Sequence, residues 1–101
     1  MIREILPVGQ ENAISCARLA EILNMDLREV TRQVERERKS GVPICATTTG
    51  ENRGYYLADG PGELALYCKS LDRRLLSIKK TRSAIERTLV KMIDQTEVDG
   101  W

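Results

Sequence analysis

Apolar residues recur along this chain with three different periods, and each period predicts a different element. From Ser15 onward, Cys16, Leu19, Ala20 and Leu23 fall at i, i+3, i+4 and i+7, which is one face of a helix, while Arg18 and Glu21 turn to water. Ser15 is placed to cap that helix. Asn24 tolerates the left-handed conformation in which a helix stops and turns, and Met25 supplies an apolar plug at the corner. A second helix follows over 26–40. Asp26 caps it, Glu29 completes a capping-box pair, and Leu27, Val30 and Val34 form its inward stripe until Gly41 and Pro43 end it. Ala20 leaves room for the two helices to cross closely.

Before this unit, Ile2, Ile5 and Leu6 predict one or two helical turns with an inward apolar edge, stopped by Pro7. Residues 8–12 read as a loop, and Ala13 and Ile14 as a very short strand. After Val42 the period falls to two. Residues 44–48 and 55–58 are rich in strand formers, and 49–54, with two glycines and an asparagine, make a hairpin loop between them. Tyr55 and Leu57 share one face and are expected in the core, with Tyr56 and Ala58 on the other. Arg53 lies near the tip.

The last third carries a third pattern. Pro61 suits the first turn of a helix, Glu63 suits its dipole, and no proline or glycine then occurs until Gly100. Leu64, Cys68, Leu71, Leu75, Ile78, Arg82, Ile85, Leu89 and Met92 recur at alternating spacings of four and three, a heptad seam over 60–94. A helix of about 30 residues is about 45 Å long, too long for a small domain to cover, so a homodimer through this helix is expected. Between residues 69 and 91 there are eight basic and two acidic residues, 8 − 2 = +6. A parallel pairing would set Arg74 against Lys79 of the second copy, whereas offset antiparallel pairings bring Lys79 toward Asp72 or Glu86. Residues 95–101 read as a frayed tail.

Composition narrows the chemistry. At 101 residues the chain holds one small domain and an appendage, and a net charge of +1 with a pI near 7.7 gives no global pull toward polyanions. With no histidine and three cysteines lacking CxxC spacing, no zinc site is expected, and two of the cysteines sit in apolar patterns as reduced thiols of a cytoplasmic protein. Neither a signal peptide nor a membrane span is expected. No GxSxG, Walker A or GxGxxG motif occurs, and the acidic residues are interleaved with basic ones on helix faces, so neither an enzyme nor a cofactor is expected.

Helix, two-helix unit and hairpin, carried by LAEIL at 19–23, DLREV at 26–30, GVPI at 41–44 and GYYL at 54–57, resemble the winged helix-turn-helix family of DNA-binding domains. The likeness is to biotin-repressor-like regulators and small prophage proteins, and it runs over roughly residues 2–59. It implies a mainly α fold with a small β-hairpin wing over residues 1–59, to which the heptad seam adds a long C-terminal coiled-coil helix over 60–94 and a tail over 95–101. Two departures stand out. Glu37 replaces an apolar residue, implying a loosely packed last turn, and Asn24 replaces the glycine often found in the turn.

Carried over by position, the resemblance makes Arg28, Thr31, Arg32 and Glu35 groove-facing, with Arg36 and Lys39 nearer the phosphates and Arg53 on the wing. These residue types suit the task, because arginine reads guanine through two parallel hydrogen bonds, threonine meets a base edge or thymine methyl, and glutamate accepts from cytosine. The plainer reading of the same residues is a solvated helix face. The expected function is a dimeric, sequence-specific double-stranded DNA-binding protein acting in transcription regulation, with no small-molecule effector evident. The alternative is a protein-interaction adaptor of a phage or replication assembly.

Overall fold

The computed structural model describes residues 1–48 and 53–99. The chain is mostly helical, with one two-stranded antiparallel sheet and a long C-terminal helix. Its helices are α1 (Cys16–Leu23), α2 (Leu27–Lys39) and α3 (Gly60–Asp99), and its strands are β1 (Ile44–Thr47) and β2 (Gly54–Leu57). It divides into two units, Met1–Tyr67 and Cys68–Trp101, so the first two turns of α3 belong with the first unit rather than starting a new one.

The caps of α1 and α2 follow from local side-chain chemistry. The Ser15 hydroxyl accepts from the Arg18 amide at 3.0 Å, and Asn24 closes α1 at φ 54°, ψ 48°. At α2 the Asp26 carboxylate accepts from the Glu29 amide at 2.8 Å, and the Glu29 carboxylate accepts from the Asp26 amide at 3.3 Å. This reciprocal pairing satisfies two donors that a helix start otherwise leaves open. Gly41, at φ 100°, carries the chain out of α2.

The core of the first unit is Ile2, Leu6, Leu19, Val30, Val34, Val42 and Ile44, with Cys16, Ala20, Leu23, Tyr55 and Leu57 packed against it. Two residues expected to face inward do not. Ile5 is 37% exposed: the 3-10 turn covers only residues 2–4, and Ile5 follows it as the C-cap, at φ −112° and ψ −4°, where the winding no longer sets its side chain beside Ile2; Leu27, at the first position of α2, is 56% exposed. Residues 10–12, expected as loop, form a second 3-10 turn.

In the sheet, Ile44 pairs with Leu57, Cys45 with Tyr56, Ala46 with Tyr55 and Thr47 with Gly54. Val8 and Ile14 then bridge to Leu57 and Tyr55, so both edges of β2 are hydrogen-bonded. Ile14 thus contributes one bridge where a very short strand was expected. Gly54 is required by that close approach: a Cβ there would lie 2.0 Å from the Ile14 carbonyl oxygen, and its φ is 144°. Tyr56, expected on the outer face, is buried beside Cys45, because the turn at residues 10–12 packs on that face, with Gln10 donating to the Thr47 hydroxyl at 3.1 Å. Both faces of the hairpin are therefore covered. Of its loop, residues 49–52 lie outside the described residues.

At the start of α3, the Glu63 carboxylate accepts from the Asp59 amide at 2.9 Å and from the Gln10 amide at 3.4 Å. The helix runs to Asp99, beyond the end expected at 94, since nothing in the stretch 95–99 breaks a helix before Gly100. At 40 residues it is about 60 Å long. From residue 71 to 95 every residue is exposed, including the seam residues Leu75, Ile78, Ile85, Leu89 and Met92. No described helix is long and apolar enough to cross a membrane.

Candidate nucleic-acid interface

α2 has one anchored side and one open side. Val30 and Val34 fill the core, and Glu37, 1% exposed, sits among them rather than in a loose last turn. Its carboxylate accepts from the Ile2 amide at 2.9 Å, from the Arg3 amide at 2.9 Å and from the Gln33 side chain at 2.8 Å. A buried carboxylate is tolerable only with such partners. Burial pushes its pKa up, but the bonds from Gln33, Arg3 and Ile2 outweigh it and hold the pKa below the usual 4.5. The residue that looked like a packing defect ties the start of the chain to the last turn of α2.

A second tie escaped the sequence reading altogether. Arg38 donates from Nε to the Ile44 carbonyl at 2.9 Å, from Nη1 to Glu35 at 3.3 Å and from Nη2 to the Tyr67 hydroxyl at 2.8 Å. Its guanidinium also lies 5.8 Å from the Tyr55 ring centroid and 5.5 Å from that of Tyr67. One half-buried side chain thus joins α2, β1, β2 and the start of α3. The available signal was its spacing of four from Val34, which puts it at the edge of the inward face.

The open side brings together six of the seven candidate residues. Arg28, Thr31, Arg32, Glu35, Arg36 and Lys39 are all exposed and line one shallow surface concavity. At about 100° per residue they cover roughly 140° of the helix, opposite Val30, Val34 and Glu37, over about 16 Å of its axis. They are not equally available. The Thr31 hydroxyl donates back to the Leu27 carbonyl at 3.0 Å, leaving its methyl as the freer group, and Glu35 is engaged by Arg38. Arg28, Arg32, Arg36 and Lys39 form no ion pair among the described residues. The face therefore presents four free cations and one carboxylate already neutralised. Arg53 is exposed immediately before β2, next to the part of the loop that lies outside the described residues.

Burial, with lesser contributions from Cys45 and Glu63, pushes the Tyr56 hydroxyl from 10.0 up to about 12, so it stays neutral within the fold. The three cysteines are free thiols, Cys45 buried, Cys16 partly buried and Cys68 exposed. Among the described residues no group of three or more His, Cys, Asp or Glu side chains is placed to hold a metal ion. No protein-family model, curated protein or solved structure matches the chain.

Proposed function

We propose that the chain is a winged helix-turn-helix protein that binds double-stranded DNA with sequence preference and acts as a dimeric transcription regulator. In this reading α2 enters the major groove, the hairpin follows the flanking backbone, and two copies join through the seam of α3. One observation carries it: four free cations stand on the open side of a helix whose opposite side is tied down by Val30, Val34, Glu37 and Arg38. A rigidly seated helix can present a face about 16 Å long to a groove about 12 Å wide without reordering.

The test is selection of a bound duplex from random sequence, followed by Arg32→Ala measured on selected and scrambled duplex at one salt concentration. A base contact by Arg32 costs about 1–3 kcal/mol on the selected duplex and little on the scrambled one, whereas Lys39→Ala and Arg53→Ala weaken both alike. Equal losses for Arg32→Ala reduce it to a phosphate contact, and a wild-type protein without sequence preference ends the reading. The exposed apolar seam also supports the adaptor alternative, in which a different protein covers it. Salt separates the two, since duplex binding falls with a log–log slope of about −0.9 per phosphate contact.

A further inference from the structure

α3 carries a second ordered pattern besides its apolar seam. Lys69, Arg73, Lys80, Arg87 and Lys91 are all exposed, and at about 100° per residue they fall within roughly 40° of the helix circumference. They make a straight row about 33 Å long at 1.5 Å per residue. None of the five forms an ion pair among the described residues. The acids of this segment lie elsewhere: Glu86 is engaged by Arg82 at 3.2 Å, Asp72 stands to one side, and Asp94 lies past the end of the row. The row is nearly diametrically opposite Leu71, Leu75, Ile78, Ile85 and Leu89, so pairing through the seam leaves it uncovered.

We propose that this row is a second polyanion-binding surface, which takes the phosphate backbone of a nucleic-acid duplex without regard to base sequence. Geometry favours a duplex over the other polyanions. An amphipathic helix on an anionic membrane needs its cations flanking the apolar face, level with the headgroups, and here insertion of the apolar stripe would point all five away from the lipid. A straight row about 33 Å long matches about one turn of duplex, roughly 34–36 Å, whose phosphates supply continuous charge. The row shares no residue with the α2 face, and the proposal holds whether or not α2 reads bases.

The experiment uses the full chain and a scrambled duplex titrated with salt. The five-site variant K69Q/R73Q/K80Q/R87Q/K91Q keeps good helix formers at exposed positions. At about 0.9 per contact its log–log slope should be shallower by about 4 to 5, so its affinity loss between 50 and 200 mM salt should be about 500-fold smaller than that of the wild type. Exchanging lysine and arginine at the same five positions should preserve the slope. The central pair alone, K80Q/R87Q, should remove about 2 units of slope and serves if the larger variant loses helix by circular dichroism. An unchanged slope in the glutamine variants overturns the proposal. So does loss of binding to phosphatidylserine vesicles or to polyglutamate while duplex binding is retained. Failure of the α2 reading shows separately, as equal wild-type affinity for selected and scrambled duplex.

Discussion

α2 and the portion of α3 beyond Tyr67 are both basic helices with a regular apolar stripe, yet among the described residues only the stripe of α2 is buried. In α2, Val30, Val34 and Glu37 are buried and Arg38 is bonded on three sides, whereas from residue 71 to 95 every residue of α3 is exposed. The difference lies in length and period. A 13-residue helix can lay its whole stripe on a core built by residues 2–44, but a helix of 40 residues outruns any surface that 59 preceding residues can fold into. Apolar periodicity therefore accompanies tertiary packing in α2 and an exposed stripe in α3.

The largest effect should come from breaking the uncovered stripe. If α3 pairs through this stripe as proposed, Leu75→Glu with Ile78→Glu removes four apolar side chains from the seam, at about 1.5–3 kcal/mol each, and should convert the dimer into a monomer by sedimentation while leaving the first unit folded. An unchanged mass would move the subunit contact elsewhere.

Within the covered region the next largest loss is expected at Gly54. Its change to alanine drives a Cβ into the Ile14 carbonyl and should cost about 4 kcal/mol or more in urea unfolding. A change below about 1 kcal/mol would show that the bridge from Ile14 to β2 is dispensable.

Glu37→Ala leaves the amides of Ile2 and Arg3 without their acceptor and should cost about 3 kcal/mol. The same carboxylate sets a pH dependence whose sign is fixed by its lowered pKa. Because the folded value lies below the unfolded one near 4.5, its stabilisation is complete above that pH and is lost as pH falls through the folded value. Urea midpoints of wild type and Glu37→Gln should accordingly converge on acidification; a constant gap between them would place the carboxylate outside the folding equilibrium.

The smallest effect is expected at the cap. Asp26→Ala should cost about 1 kcal/mol, since one amide of α2 loses its acceptor at an exposed helix end where water partly replaces it. It should leave the sedimentation behaviour of the chain untouched; a change in mass would tie the cap of α2 to whatever α3 contacts.

Much of this was legible before any coordinates. Ser15, Asn24, Asp26, Glu29 and Gly41 act through contacts three to five residues away, and such local chemistry is visible in the sequence. The open face of α2 was legible for the same reason, because burying Val30 and Val34 turns Arg28, Arg32 and Lys39 outward at 3.6 residues per turn. The availability of its members was not. Whether Thr31 turns back to the helix and whether Glu35 is neutralised depend on rotamers and on Arg38, whose own position is held by Ile44 and Tyr67.

The sequence by itself thus determined the caps, the periods, the hairpin and the two long stripes of α3, all of which depend on neighbours within a few residues or on repetition. Only the tertiary structure decided that Glu37 is a buried tether, that Arg38 joins four elements, that Tyr56 is covered and that Ile5 and Leu27 are not. Each of these turns on a partner far away in the chain: Glu37 lies 35 residues from Ile2 and Arg38 lies 29 from Tyr67. A charged residue in an apolar register reads locally as a fault. It becomes a structural element only when folding brings unsatisfied donors to its carboxylate or acceptors to its guanidinium, and no short window of sequence contains both partners.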